Sequence, residues 1–453
     1  MPTVELKNKN VVVLGLGRSG MAAASLLRRD GARVVVRDEG DGGVLKERAN
    51  RLRQLGIRVE LGNRFDSSTQ FDFAVLSPGI APERPIVREI VTRKTPVLSE
   101  LELAYRFCVC PIVAITGTNG KTTTTELIAA VLEGCGQRAV AAGNIGHAFS
   151  DAVDEGVGLD ALVLETSSFQ LEKIEQFRPH VAVLLNITPD HLDRHGSMKE
   201  YARAKAGIFL NQTSEDFAVV AVPALRWLRK IGWEIRARII TVSAGGQEAD
   251  LWLDWVDGQT IWSRVPECRG ILMRMEETNL RGLHNAENIL ATLAAGLALK
   301  LPVTQMRDAI CSYCPQPHRC EFVASVNGVT YVNDSKATNT DAVEKALRSL
   351  AGPVVLIAGG RDKRLDFSTI KEVVAEKVKL AVVIGETQEK ICRAWSEVSC
   401  LRASSMAEAV RVATSHARSG DTVLLSPACS SFDMFENYEH RGNEFKRCVL
   451  DLQ

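Results

Sequence analysis

Lys121 and Thr122 close the stretch Thr116-Gly117-Thr118-Asn119-Gly120-Lys121-Thr122, which lies between a strand-like run (Ile112 to Ile115) and a helix-like run (Thr123 to Leu132). Glycines let successive backbone N–H groups turn toward an anion, and the helix start behind them adds partial positive charge. Lys121 adds a full charge and Thr122 offers a hydroxyl to Mg2+. This is the chemistry of a nucleoside triphosphate grip. The full Walker A pattern has a glycine where this chain has Ile115, so the loop is a variant form. A tight strand-to-helix turn with a solvated lysine is the plain alternative.

A triphosphate must have its charge neutralised before any nucleophile reaches its γ-phosphorus. Two further strand ends supply groups for this: Glu165 closes the run Ala161 to Leu164, and Asn186-Ile-Thr-Pro-Asp190-His191 follows Val181 to Leu185. Thr122 and Glu165 suit one Mg2+ and His191 a second cation. The alternatives are a solvated strand end for Glu165 and a capping or core-edge histidine for His191. A second glycine loop comes earlier in the chain. Val11 to Leu14, Gly15-Leu-Gly17-Arg18-Ser19-Gly20, a helix-like Met21 to Arg29, a strand Arg33 to Val36 and then Asp38 spell a βαβ unit with a dinucleotide fingerprint. A nucleotide sugar, an NAD-like cofactor and a purely structural turn all remain open for it. Ser77-Pro-Gly79, after the strand Phe73 to Leu76, belongs at the same carboxyl edge.

These loops need sheets to hold them. The 453 residues suggest about three domains at roughly 150 residues each, with boundaries expected near 107 and 315. In the first block the strands and helices alternate. The second carries the phosphate loop and then a tryptophan-rich region, Arg226 to Leu272, whose short runs Leu251 to Trp255 and Thr260 to Trp262 read as antiparallel strands added to a parallel core. A helix running through Ile289 to Leu299 is apolar almost all round and should be buried. The third block alternates again: strand Thr330 to Val332, helix Thr340 to Leu350, strands Val354 to Ile357 and Leu380 to Ile384, helix Met406 to Ala417 and strand Thr422 to Leu425. The expected fold class is α/β in three domains: a Rossmann-like amino-terminal domain, a central P-loop ATPase-type mixed sheet and a doubly wound carboxyl-terminal domain.

Lys plus Arg and Asp plus Glu both total 55, so no basic nucleic-acid surface is indicated. No apolar run approaches the length needed to span a bilayer, and the expectation is a soluble cytosolic chain. The 11 cysteines read as reduced thiols rather than a disulfide framework. Cys311, Cys314 and Cys320 lack a partner CxxC for zinc.

The phosphate loop, Leu164-Glu-Thr-Ser-Ser-Phe-Gln-Leu171, Asn186 to Asp193, Tyr201 to Lys205 and His284-Asn285 to Asn288 together resemble the ATP-dependent Mur ligases. Pro317-His-Arg319, Asn333 to Asn339, Gly359 to Lys363 and Ser426 to Asp433 extend the resemblance over nearly the whole chain. It implies ATP, Mg2+ (two ions) and a UDP-N-acetylmuramoyl-L-alanine substrate to which D-glutamate is joined in peptidoglycan precursor synthesis, by a monomer in the bacterial cytoplasm. It also implies roles. Gly117, Thr118, Asn119, Gly120, Lys121, Thr122, Thr123, Asn285, Asn288, Arg319, Asp334 and Lys336 would bind ATP. Gly15, Arg18, Ser19, Asp38 and Gly79 would hold the uridine diphosphate, with Asn144 and His191 near the substrate and metals. Lys336, Thr338, Lys363, Ser431, Phe432 and Tyr438 would hold D-glutamate, and Lys205 would be carbamylated to bind a cation. Arg18 departs from the pattern as a bulky charge in the glycine turn, suited to direct phosphate contact. Three domains around three substrates suggest hinges near 107 and 315.

Overall fold

The protein is described from a computed structural model, which covers residues 6–62, 69–153, 158–246, 248–255, 259–280, 282–313, 317–350, 352–363 and 365–452. The expected divide at 315, Cys314 among its neighbours, lies outside the described residues.

Strands such as Val11-Val-Val-Leu14 and Val181-Ala-Val-Leu184 are apolar on both faces and fully buried, as parallel strands covered on two sides by helices must be. Three sheets result. The first, in spatial order, is Arg58–Leu61, Arg33–Asp38, Asn10–Leu14, Phe73–Leu76 and Val97–Ser99, all parallel. Its order reverses between Asn10–Leu14 and Phe73–Leu76, where α/β sheets open a crevice for ligands.

The second sheet runs Gly270–Arg274, Thr260–Ser263, Leu251–Asp254, Arg238–Ser243, Phe217–Ala221, Val181–Leu184, Ile112–Thr116, Ala161–Glu165 and Ala139–Gly143. Pairing is parallel except at Thr260–Ser263 and its two neighbours. The antiparallel additions are therefore where the alternating tryptophan runs placed them, with Trp252 and Trp262 stacked at 6.2 Å. The helix Leu283–Ala298 is buried along most of its length against the helix Lys121–Gly134.

The third sheet runs Glu321–Val326, Val329–Asn333, Thr422–Leu425, Val354–Gly359, Val378–Ile384 and Cys400–Arg402. Its parallel strands include those expected and add Cys400–Arg402, and the first strand, likewise not expected from the sequence, forms an antiparallel hairpin with the second. The signal was present: Asn327 and Gly328 both have positive φ (52° and 77°), the geometry Asn-Gly supplies to a tight hairpin.

One apolar core runs without a break from the first sheet into the second, through Leu101, Leu103, Ala104, Phe149 and Ala152. The third sheet has cores of its own. Among the described residues no helix is long and apolar enough to cross a membrane.

Candidate active site

The phosphate loop leaves the end of Ile112–Thr116 and enters the helix Lys121–Gly134 through Gly120, whose φ of 82° is left-handed. A Cβ there would lie 2.3 Å from Asn288 Oδ1, so glycine is required by conformation and by space. Asn186 fixes the loop from the next strand. Its side-chain oxygen accepts from Thr118 N (3.0 Å) and Asn119 N (2.8 Å), and its amide nitrogen donates to Asn119 O (3.1 Å). The sequence reading placed Asn186 at a strand end facing the phosphates and gave it no role. Asn288 accepts from Thr124 Oγ1 at 3.2 Å.

Lys121 folds over the loop, donating to the carbonyls of Gly117 (3.0 Å) and Thr118 (2.9 Å). Thr122 and Asn144 both donate to Glu165, each at 2.7 Å, which brings three of the expected metal and substrate residues to one carboxylate. Glu165 is buried. Lys205, equally buried, donates to Gly117 O at 2.7 Å and lies 4.6 Å from the Tyr201 ring. Burial, reinforced by the charge of Lys121, drives its pKa well below the ordinary lysine value. Burial also lowers that of Lys121, against the pull of Glu165 and Asp190. His191 takes a left-handed φ of 52°, its ring edge-on to Phe169 at 5.0 Å and its Nε2 3.6 Å from Asp190 Oδ2.

A cleft of about 690 Å3 opens between the phosphate loop and the third sheet. Asn119, Gly120, Thr123, Asn285, Asn288, Arg319, Asp334 and Lys336 all line it, eight of the residues expected at ATP. His284, Glu287 and Lys345 line it too and were not assigned. Burial, with Lys345 and Arg319 nearby, presses the His284 pKa down to about 4, and its Nδ1 is buried without a hydrogen-bond partner. Asp334 accepts from Ser426 Oγ (2.9 Å) and Cys320 N (3.2 Å), and burial lifts its pKa to about 7. Burial and the Arg319 charge lower Lys336 to about 8, with its ammonium 3.7 Å over the Tyr438 ring. Two of the residues expected at D-glutamate thus touch. Lys363 lies 3.6 Å from Asp190 Oδ1. Burial alone would raise the Asp190 pKa, but Lys363, His191 and Lys121 together hold it below the usual carboxylate range. Thr338 is half-buried, Ser431 buried, and Phe432 64% exposed.

The second and third sheets meet through polar side chains. Asn119 and Asn339 exchange hydrogen bonds (3.3 and 3.1 Å), Asn119 also reaches Asp341, and Lys345 pairs with Glu287 at 2.8 Å. Asp341 and Lys345, four apart on one helix, carried a sequence signal for this edge.

In the first sheet, Gly15 has φ 97° and a Cβ there would press on Ile80 and Ser77, while one on Gly20 would lie 1.9 Å from Gly15 O. Asp38 accepts from Leu16 N (2.7 Å) and Gly40 N (2.9 Å), so its carboxylate shapes the glycine loop. Arg18 and Ser19 begin the helix Arg18–Arg29, and Arg18 Nη1 donates to Gly146 O (3.2 Å) in the second domain. Beside Gly79, Pro78 O accepts from Arg194, whose guanidinium stacks 3.9 Å over Phe169. Arg18 with Gly146 and Pro78 with Arg194 thereby tie the loops of the first sheet to the second across the first junction.

Family models match along the chain: the Mur ligase MurD-like N-terminal domain over residues 9–99, the Mur ligase middle domain over 115–296 and the Mur ligase glutamate ligase domain over 318–429. The UDP-N-acetylmuramoylalanine–D-glutamate ligase of Desulfosudis oleivorans is 41% identical over 456 residues, covering 100% of this chain and 98% of the relative. The chain belongs to the Mur ligase family. The enzyme of the same name from Pelotomaculum thermopropionicum is 42% identical, covering 99% of each chain. The fold is shared with the MurF ligase of Thermotoga maritima, solved in complex with ADP, at a TM-score of 0.61 and 16% identity, covering 100% of this chain and 97% of that one. The site gathers the buried Lys205 and the half-buried Lys121, Lys336 and Arg319 around the buried carboxylates of Glu165, Asp190 and Asp334. Such a cavity favours a polyanion.

Proposed function

We propose that the protein is an ATP-dependent amide ligase that joins D-glutamate to UDP-N-acetylmuramoyl-L-alanine through an acyl phosphate, in peptidoglycan precursor synthesis. The observation that carries the reading is the convergence of Lys121, Glu165, Asn144 and Lys205 on one phosphate loop, beside a cleft lined by the residues of a nucleotide site. It is joined by full-length similarity to ligases of that name. We assign residues 1–107 to the uridine diphosphate, 108–315 to ATP and 316–453 to the amino acid, in a monomer working in the bacterial cytoplasm.

A carboxylate is a poor electrophile because its leaving group would be oxide. Transfer of the γ-phosphoryl to the substrate carboxylate makes inorganic phosphate the leaving group, and the amine of D-glutamate then attacks the acyl carbon. The N–H groups of Gly120 to Thr122 and the Lys121 ammonium hold the phosphates in line, while Thr118 N and Asn119 N stay on Asn186. Anionic ligands favour the charged forms of Lys121 and Lys336, against the burial that lowers their pKa. Lys121 also faces the oxygens on which charge concentrates in the tetrahedral intermediate. Gly15, Arg18, Ser19, Asp38 and Gly79 orient the uridine diphosphate so that the acyl end reaches Asn144 and His191. Arg319 serves the phosphates, Asp334 the ribose, and Lys336, Thr338, Lys363, Ser431, Phe432 and Tyr438 the two carboxylates of D-glutamate.

The oxygen donors Thr122 and Glu165 fit a hard divalent cation, with Asn144 poised to release its share of the carboxylate. Mg2+ held there would neutralise phosphate charge, and His191 with a carbamate on Lys205 would hold a second ion. Lys205 fits carbamylation because the reaction needs a neutral amine, which its burial favours. Intact-mass measurement in bicarbonate should show the carbamate on the active wild type and none on Lys205→Ala. An unmodified, fully active wild type would remove that role. A phosphate-release assay across an acceptor panel tests the main reading. Release should require ATP, UDP-N-acetylmuramoyl-L-alanine, D-glutamate and Mg2+ together, and equal turnover with L-lysine or diaminopimelate would reject the amino-acid assignment.

A further inference from the structure

Cys108 and Cys110 lie on the connector that leaves the helix Glu100–Tyr105 and enters Ile112–Thr116, the strand that ends in the phosphate loop. Their sulfur atoms are 3.8 Å apart. The intervening Val109 turns outward, 62% exposed, while Cys108 and Cys110 are 1% and 8% exposed. Both sulfurs therefore sit on the same side of the chain and already touch. A surface cavity of about 810 Å3 opens on them, with Arg178 and His180 on its wall. Arg178 remains ion-paired with Asp216 at 2.7 Å, so its charge is fixed at the mouth.

We propose that Cys108 and Cys110 form a reversible oxidation site, closing to an intrachain disulfide on reaction with a small-molecule disulfide. The two sulfurs are inequivalent. Contact between the two thiols lowers the Cys110 pKa, and the same contact together with burial raises that of Cys108. Cys110 is also the more exposed, so it is the attacking thiolate. Its attack on the reagent disulfide breaks the S–S bond, expels one thiolate and leaves a mixed disulfide on Cys110. Cys108 then loses its proton and attacks the Cys110 sulfur, expelling the second thiol. Two protein thiols are oxidised by two electrons and one reagent disulfide is reduced to two thiols.

Spacing of one residue forces a tight ring, so the product is strained and readily reduced, which suits a switch better than a permanent cross-link. The ring pulls on the segment between the junction helix and the phosphate-loop strand. Neither the nucleotide cleft nor any residue assigned to the reaction takes part, so the proposal stands apart from the ligase reading.

The test uses the full-length reduced protein incubated with oxidised glutathione, quenched with acid, alkylated and mapped by peptide mass spectrometry. The peptide carrying both cysteines should lose two hydrogens and two alkylation sites, and dithiothreitol should restore both. Cys108→Ser should stop with glutathione on Cys110, and Cys110→Ser should leave Cys108 unreacted. Glutathione retained on both cysteines of the wild type would overturn the proposal. So would pairing of either with a third cysteine, or alkylation of both after oxidation of the other thiols.

Discussion

At the junction of the first two sheets, Leu101, Leu103, Ala104, Phe149 and Ala152 are fully buried in a core shared by both. Two carboxylates are buried there: Glu100 accepts from Ser150 N, and Glu102 accepts backbone N–H bonds from Glu175, Gln176 and Phe177 and pairs with Arg106. At the junction of the second and third sheets the contacts are Asn119 with Asn339, Lys345 with Glu287 and Lys363 with Asp190. Hydrocarbon burial is lost outright when such a surface opens, whereas polar contacts exchange with water at about 0.5–1.5 kcal/mol each. The comparison teaches where motion belongs. A hinge near 107 would have to tear a continuous core, and the third domain is the one free to move over the nucleotide. The cleft proposed for ATP lies at the polar junction, so binding there would be coupled to domain position.

Breaking the apolar junction should have the largest effect. Phe149→Ala removes a fully buried ring from the short helix Phe149–Ala152, which packs on the helices Arg18–Arg29 and Glu100–Tyr105, and should cost about 3–5 kcal/mol in chemical denaturation. Loss below about 1 kcal/mol would mean that the first two domains are not one body. Asn186→Ala comes next. Its three hydrogen bonds to the loop vanish and buried backbone groups lose partners, so ATP affinity should drop by about 10- to 100-fold, some 1–3 kcal/mol, as read by calorimetry. An unchanged dissociation constant would show that the loop holds its own shape.

Protonation sharpens the polar side. Lys336 has its pKa depressed by burial to about 8. The folded protein therefore loses this charge above pH 8, while the unfolded chain keeps it to about 10.4. D-glutamate affinity should weaken by about fivefold from pH 8 to pH 9 and stay flat in Lys336→Gln. The depressed value also has a stability sign: its contribution is present above the unfolded pKa and is lost as pH falls from about 10.4 through 8. The smallest effect is expected from Lys345→Ala, which removes the 2.8 Å bridge to Glu287. Stability should change by less than about 1 kcal/mol, while scattering in the absence of ligand shifts toward a more open form. A loss as large as that of Phe149→Ala would erase the distinction between the junctions.

Much of this was legible in residue order. Apolar runs on both faces announced the parallel strands, and the glycines, Lys121 and Thr122 announced the loop. The alternating tryptophans announced the antiparallel additions. What escaped was tertiary. Asn186 is an ordinary asparagine until its strand lies beside the loop, and nothing in the sequence shows that Asp38 shapes the glycine loop by accepting from Leu16 N and Gly40 N. The strand Glu321–Val326 was missed although Asn327-Gly328 marked its turn, because its burial alternates imperfectly along a sheet edge. The apolar continuity across residue 107 depends on Phe149, far along the chain, and no local pattern carries it.

Oxygen transfer from substrate to phosphate tests the central claim most directly. With 18O in the carboxylate of UDP-N-acetylmuramoyl-L-alanine, turnover with ATP, D-glutamate and Mg2+ should deliver one labelled oxygen into each inorganic phosphate released, as an acyl phosphate requires. Phosphate released without label, alongside a new amide, would contradict it.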